Sequence, residues 1–143
     1  MNLTKEWLVE RNACSDGVVW FESCGETDGV MVLEKLIAKD EEEKNEWANW
    51  LIIRIMSHKQ ALSYAIFAAE QVIALFEKRY PGDSRPRKAI EAAERALKND
   101  TPGNRLKALA AYAAGDAAAA ARKQMQERIL HYGIGLLEGT TRP

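Results

Sequence analysis

The sequence predicts an all-α fold, a compact bundle of six to eight helices in a single domain, residues 1–143. Apolar residues recur at intervals of three and four along nearly the whole chain, and strand-like alternation does not persist. Between Asn104 and Ala121, ten of eighteen residues are alanine, the residue with the highest helix propensity. With 47% hydrophobic residues, the chain can bury one core. The expected layout is short N-terminal helices in 1–40, core helices in 41–80 and C-terminal helices in 84–138.

Three short helices are expected in the N-terminal region. The first begins near Leu3, and the second is expected to be capped by Ser15 and to end near Gly25. Thr27 or Asp28 can cap the third, because short oxygen-bearing side chains accept bonds from the first free N–H groups of a helix. The residues expected to face inward are Leu3, Trp7, Leu8, Val18, Trp20, Phe21, Val30, Leu33, Leu36 and Ile37.

The fourth helix is expected to be buried. The acidic run Asp40–Glu43 suits the positive end of a helix dipole and leads into Trp47–Met56, a segment that is apolar on nearly all sides. Arg54 then lies in a largely apolar setting and needs a partner to offset its desolvation. Two partners are open to it, the ring of Trp50 one turn earlier or a carboxylate such as Glu70.

The fifth helix, about Lys59 to Tyr80, is the candidate central helix of the bundle. Pro81 stops it, because proline cannot continue a helix and restricts the residue before it. Its predicted apolar stripe is Leu62, Ala65, Ile66, Ala69, Val72, Ile73, Phe76 and Tyr80.

The C-terminal helices begin with Ser84 as the expected N-cap and Pro86 in the first turn, where the missing N–H costs nothing. From Pro102 to Glu138, one unbroken helix would be about 55 Å long, so we expect a break near Gly115. The predicted buried line of the sixth helix is Ala89, Ile90, Ala93, Ala96 and Leu97. Its outer face carries opposite charges spaced i to i+4, which predicts a ladder of ion pairs among Arg87, Glu91, Glu94, Arg95 and Lys98.

The charges are divided unevenly along the chain. Residues 1–80 hold nine Lys and Arg against fourteen Asp and Glu, whereas residues 81–143 hold eleven against seven. The halves are expected either to attract each other on folding or to present two differently charged faces to partners. The basic residues of the second half alternate with acids at helical spacing, which argues against nucleic-acid binding.

Several other classes of function are not expected. No window is long and apolar enough for a membrane span, and residues 1–10 lack the apolar core of a signal peptide, so we expect a cytoplasmic protein without a membrane partner. Cys14 and Cys24 have no zinc-type spacing and are expected to be reduced thiols. We expect neither a metal nor a cofactor.

No catalytic constellation is evident, because His58 and His131 lie far along the chain from both cysteines, and we do not expect an enzyme. Basic side chains at a helix N-terminus can hold a phosphate or a partner's carboxylate. The four tryptophans, with Tyr64, are expected to form core or to wall a ligand pocket. The candidate binding residues are Asp83, Arg85, Arg87, Lys88, Arg54 and Trp50.

Three segments carry a family resemblance: Trp47–Leu51, Tyr64–Val72 and the run Asp83–Ala93, which leads into an alanine-rich tail. From Trp47 onward, about two thirds of the chain resembles the immunity proteins of bacterial toxin systems and small alanine-rich helical proteins of bacteria and their phages. The resemblance implies a non-enzymatic protein that binds and blocks a cognate toxin.

Three rival functions stay open from the sequence. The first is a phage or host regulatory module, part of a defence system, that binds another protein or a nucleic acid. The second is an enzyme acting on a small ligand beside Trp50 and Arg54, and the third is a structural module that oligomerises through its alanine face. The sequence does not define the oligomeric state.

Overall fold

The computed structural model of the chain describes residues 1–38, 41–99 and 123–142. In these ranges the regular structure is helical, apart from one isolated antiparallel bridge between Asn2 and Asp28. The predicted all-α fold is therefore confirmed. The described helices are α1 (Lys5–Glu10), α2 (Ser15–Cys24), α3 (Gly29–Ile37), α4 (Glu42–Ile55), α5 (His58–Arg79), α6 (Arg85–Lys98) and α7 (Lys123–Glu138).

The chain divides into two compact units, residues 1–55 with α1 to α4 and residues 56–143 with α5 to α7. That the whole chain behaves as one domain stays a prediction. The break expected near Gly115 lies outside the described residues.

The N-terminal segment of the first unit is extended before α1 begins. Leu3 is 1% exposed, as its apolar character predicted, but its backbone N–H donates to the carbonyl of Thr27 instead of joining the helix. Thr4 caps α1, because its hydroxyl accepts from the backbone N–H of Trp7 at 3.2 Å. The helix therefore starts two residues later than the sequence predicted.

The caps of α2 and α3 show one wrong prediction and one confirmed prediction. Ser15 is already helical, and Cys14 is the N-cap, its sulfur accepting from the backbone N–H of Gly17 at 3.4 Å. Gly25 ends α2 with φ +68°, a left-handed conformation that glycine adopts without strain. Asp28 caps α3 as predicted, because its carboxylate accepts from the backbone N–H groups of Val30 and Met31 in the first turn of the helix.

Helix α4 packs against α3. The sequence predicted that this helix is buried, and that prediction is wrong, because part of its surface is exposed. Its buried apolar residues are Ala48, Leu51 and Ile52, whereas Arg54 is exposed. Asn45 is only 1% exposed, and neither side-chain polar atom has a hydrogen-bond partner within the described parts of the chain.

Helix α5 is the central helix of the second unit, packed against both α6 and α7. It begins with a capping box in which the Ser57 side chain and the Gln60 side chain each accept from the other's backbone N–H. The Gln60 amide also donates to the carbonyl of Leu136 in α7 at 2.6 Å. The shared core of α5 and α6 follows the predicted stripes and consists of Leu62, Ile66, Ala69, Ile73, Ile90, Ala93 and Ala96.

Helix α7 is the last helix of the second unit and packs against α5. Ile129 and Leu130 are fully buried, and the ring of Tyr132 stacks on Phe67 with centroids 4.1 Å apart and planes 8° from parallel. After the helix, the chain turns through Gly139 at φ +74°.

Candidate functional site

Four of the predicted binding residues lie together, where α5 ends and α6 begins. The Arg85 guanidinium makes two hydrogen bonds to Asp83, from Nε at 2.9 Å and from Nη2 at 2.6 Å. The side-chain and backbone N–H groups of Arg85 lower the pKa of Asp83 to about 2. The Asp83 carboxylate is therefore ionised at every physiological pH.

The predicted capping role belongs to Asp83 and not to Ser84. Ser84 occupies the N-cap position, but its side chain makes no capping hydrogen bond. The Asp83 carboxylate accepts instead from the backbone N–H of Arg85 at 3.0 Å. A carboxylate next to the helix start also interacts favourably with the helix dipole, so this residue both caps α6 and fixes the Arg85 side chain.

A second bidentate pair joins the two helices. Arg87 donates from Nε and Nη2 to the two carboxylate oxygens of Glu77 in α5, both at 2.8 Å. These hydrogen bonds lower the pKa of Glu77. The prediction that Arg87 pairs with Glu91 in an i to i+4 ladder is wrong. Between Arg85 and Lys98, no ion pair within 4.0 Å joins Glu91 to Arg95 or Glu94 to Lys98.

We call residues 77–88 the basic turn. It holds five basic residues against two acidic ones, and both acids are used in the pairs just described. Among the described residues, Lys78, Arg79 and Lys88 have no carboxylate within ion-pair distance. Within the part of the chain that the structure describes, the turn therefore presents three positive charges without an ion pair, on a backbone that the two bidentate pairs hold.

The basic turn also has apolar surface. Tyr80 is 49% exposed, its ring lies 5.0 Å from that of Phe76, and the Arg79 guanidinium lies 5.6 Å from the Tyr80 ring centroid. Leu75, one helical turn before Arg79, is 56% exposed. Exposed tyrosine and arginine side chains on a fixed backbone are the residue types that dominate binding energy in protein interfaces.

The other two predicted binding residues lie in the first unit. Arg54 donates to the backbone carbonyl of Trp50 at 2.8 Å, and its guanidinium lies 4.1 Å from the centroid of the Trp50 ring. The stacking partner proposed for Arg54 is therefore present. Contact with the Trp50 ring removes part of the water around the Arg54 guanidinium, and this desolvation lowers the pKa of an otherwise exposed side chain that stays charged at neutral pH.

All four tryptophans of the first unit have a cationic group over the ring. The pairs are Arg11 with Trp7 at 4.2 Å, Lys44 with Trp47 at 3.9 Å and with Trp20 at 5.7 Å, and Arg54 with Trp50 at 4.1 Å. Each indole thus contributes a cation–π contact besides its apolar surface, and each contact is worth on the order of 0.5–1 kcal/mol at an exposed site.

Three of these tryptophans also line a cavity of about 430 Å³, which we call the tryptophan cavity. Of the tryptophans that the sequence offered as walls of a ligand pocket, Trp20, Trp47 and Trp50 line this space and Trp7 does not, and binding of a ligand there stays a prediction. The rest of its lining consists of Leu3, Leu8, Asn12, Ala13, Cys14, Gly17, Phe21, Val32, Leu36, Glu43, Glu46 and Leu51. Tyr64, the other predicted lining residue, is buried within the second unit.

Sequence reasoning missed Glu77 as a partner of Arg87 and Glu43 with Glu46 as cavity residues. Helical periodicity reveals pairs within one helix, whereas Glu77 and Arg87 are ten residues apart across a turn. In the described ranges, no group of three His, Cys, Asp or Glu side chains is arranged to hold a metal ion. No helix in those ranges combines the length and the apolar character needed to cross a membrane.

The architecture places the chain among small all-α proteins. The basic turn is an exposed segment whose backbone is held by two bidentate ion pairs. Residues 51–133 match the model of the family described as Imm-5 like putative immunity protein. The chain belongs to this family, as the resemblance of its sequence implied. The match contains the whole basic turn, whereas Leu51 is the one residue of the tryptophan cavity that falls inside it. No curated protein and no solved structure matches the chain significantly.

Proposed function

We propose that this protein is an immunity factor that neutralises a cognate toxin by binding it stoichiometrically, with the basic turn as part of the contact surface. Membership of the Imm-5 like putative immunity protein family supports a protein partner. The observation that carries the choice of surface is the basic turn, in which two bidentate pairs hold the backbone while Lys78, Arg79 and Lys88 have no ion pair to any described residue.

The proposed mechanism is occlusion with charge matching. The three exposed cations Lys78, Arg79 and Lys88 favour a partner with an acidic patch, because complementary potentials speed encounter and fix the register of an interface. Tyr80 and Leu75 supply apolar area beside these charges. Because the Asp83 and Glu77 pairs exist before binding, fewer rotamers have to be ordered when the complex forms. This mechanism requires no reactive group, and a cytoplasmic location remains a prediction from the sequence.

The test is a growth assay with the reading frames that flank the gene of this protein. Each flanking product is expressed with and without the protein, and one of them is expected to stop growth only when the protein is absent. The rescuing pair is then mixed, and isothermal titration calorimetry is expected to show one-to-one binding. If no flanking product is toxic, or if a toxic product does not bind, the immunity function is wrong.

A matched pair of triple variants tests the surface. Lys78→Glu, Arg79→Glu and Lys88→Glu together are expected to weaken toxin binding about 100-fold or more, because attraction becomes repulsion at three points of the contact. The control reverses three exposed cations outside the turn, Lys59, Arg128 and Arg142, with the same change in net charge. Equal losses in both variants would mean that net charge alone matters and that the basic turn is not the contact.

Binding to double-stranded DNA is the outcome that would favour the regulatory alternative. The basic turn combines cations with exposed apolar residues, which suits a protein surface better than a phosphate backbone. We therefore expect no DNA binding at physiological salt. Tight binding that falls steeply as salt is raised would contradict the immunity function.

A further inference from the structure

We propose that the first unit binds a small organic cation, an apolar ring or chain that carries a protonated amine, in the tryptophan cavity. The cavity volume, about 430 Å³, lies in the range of small-molecule sites. Its walls come from all four helices of the unit and from the segments around them. Because nearly all of its lining lies outside the family match, this site is independent of the proposed immunity function.

The walls are suited to an apolar ring or chain. The indoles of Trp20 and Trp47 have centroids 6.3 Å apart with their planes inclined at 56°, and Trp50 adds a third indole to the lining. Gly17 contributes to this shape, because a Cβ placed on it would lie 3.7 Å from the Trp47 ring and 3.1 Å from the Cys14 sulfur. A larger side chain at this position would crowd the cavity wall.

The charge of the lining selects a cation. Glu43 and Glu46 are the charged residues among those that line the cavity, and within the described residues neither carboxylate has an ion-pair partner. They share one face of α4 with Trp47 and Trp50, which follow them at i+4. Residues 1–55 as a whole hold six Lys and Arg against twelve Asp and Glu, so the potential around the cavity also attracts a cation.

The carboxylates, and not the indole faces, are the expected contact for the amine. Lys44 already lies 3.9 Å from the Trp47 ring centroid, and Arg54 lies 4.1 Å from that of Trp50. The rings therefore carry cations of the protein itself, and they offer the ligand mainly apolar contact. A ligand amine beside Glu43 and Glu46 would compensate two charges that no ion pair among the described residues compensates.

A small molecule fits this lining better than a peptide segment. Every peptide residue brings a backbone N–H and a carbonyl that need partners when they lose water. Beyond the two carboxylates, the lining offers the amide of Asn12, the thiol of Cys14 and the indole N–H groups of its three tryptophans, which are few acceptors for the N–H groups of a peptide backbone. One cationic headgroup on an apolar body leaves no such groups unsatisfied.

The test compares three probes of nearly equal size by isothermal titration calorimetry with the full chain at pH 7: tryptamine, indole and indole-3-acetate. Tryptamine is expected to bind about tenfold more tightly than indole, the gain expected from two partly solvated ion pairs. Indole-3-acetate is expected to bind more weakly than indole. No binding of tryptamine at millimolar concentration, or tighter binding of indole-3-acetate, would overturn the proposal.

Variants separate the carboxylates from the general acidity of the unit. Glu43→Gln together with Glu46→Gln is expected to remove the tenfold preference for tryptamine and to leave indole binding unchanged. Glu6→Gln with Glu10→Gln makes the same change in net charge at exposed positions of α1 that do not line the cavity, and should keep the preference. If both double variants lose the preference for tryptamine equally, the preference comes from net charge, and Glu43 and Glu46 do not form a specific site.

Two further readouts locate the ligand. Tryptamine is expected to shift the indole N–H signals of Trp20, Trp47 and Trp50 more than that of Trp7 in nitrogen-15 spectra. It should also slow alkylation of Cys14, which lines the cavity, without slowing that of Cys24, which does not. Uniform shifts of all four indoles together with unprotected Cys14 would show binding elsewhere and would overturn the proposal, even if tryptamine binds.

Discussion

The two units are both helical in their described residues, but they differ in aromatic content, in charge and in the size of their core side chains. The first holds all four tryptophans, a formal charge of −6 and a cavity, whereas the second has no tryptophan and holds fourteen Lys and Arg against nine Asp and Glu. In the second unit, Ala69, Ala93 and Ala96 lie in the core between α5 and α6. Small side chains let helices approach closely and leave little space between them. The first unit keeps a cavity of about 430 Å³ walled by indole rings, and the second keeps one of about 320 Å³ whose lining includes Ile66, Phe67 and Tyr132. The units therefore differ in charge and in the residues that line their cavities.

The largest expected effect comes from removing a fully buried leucine in each unit. Leu130→Ala in α7 and Leu33→Ala in α3 are each expected to lower the free energy of unfolding by about 2–5 kcal/mol, the transfer term plus a cavity term. Because every tryptophan lies in the first unit, tryptophan fluorescence reports on that unit alone, whereas circular dichroism reports on both.

Urea titrations of Leu130→Ala also test the predicted single domain. If the units unfold together, the fluorescence and circular-dichroism midpoints shift by the same amount, which is what one domain requires. A fluorescence transition that stays at its wild-type midpoint while the helical signal shifts would divide the chain into two independently folding domains.

A smaller effect is expected at Gly25 and Gly139, the glycines with positive φ within the described ranges. Gly25→Ala after α2 and Gly139→Ala after α7 should each cost about 1–2 kcal/mol, because an L side chain is strained in the left-handed region. Gly82→Ala is the matched control, since its φ lies outside that region and a Cβ there would have no heavy atom within 4 Å. The control should be neutral or stabilising by about 0.4–1 kcal/mol. A control as damaging as the other two would contradict the conformational explanation.

The basic turn is expected to tolerate acid. Asp83 has a pKa of about 2 in the folded chain, below its ordinary value near 4, because Arg85 donates to it. A lowered folded pKa means that this contribution to stability is complete above about pH 4 and is lost as the pH falls through about 2. Carbon-detected titration of the Asp83 carboxyl should show this midpoint, and Asp83→Asn should make the turn insensitive to pH in the same range. A midpoint near 4 would mean that the Arg85 pair does not form in solution.

How far the sequence predicts each unit depends on whether the interactions are local. The stripes of α5 and α6 follow helical spacing, and the structure confirms them except at Tyr80, which was predicted to face the core but is 49% exposed where α5 ends. The stacking of Arg54 on Trp50, one of the two partners that the sequence left open, also follows helical spacing and is present. The pairing of Arg87 with Glu77 crosses a turn, so periodicity pointed to the nearer Glu91 instead. The tryptophan cavity could be foreseen only as an alternative, because a pattern shows which faces are apolar and not how completely they fill the space between them.

The smallest expected change in the free energy of unfolding is at Ser84, which occupies an N-cap position without making a capping hydrogen bond. Ser84→Ala should change the free energy of unfolding by no more than about 0.5 kcal/mol, because the Ser84 side chain makes no capping bond and Asp83 accepts from the first N–H of α6. Ser57→Ala, at a capping box in the same unit, should cost about 0.5–2 kcal/mol. Both changes remove a single hydroxyl from an exposed serine at a helix start, so their difference in urea midpoint reports the two hydrogen bonds of the Ser57 hydroxyl, accepted from the Gln60 N–H and donated to Gln60 Oε1. Equal costs would mean that Ser84 does cap α6 in solution and that Asp83 serves only to fix Arg85.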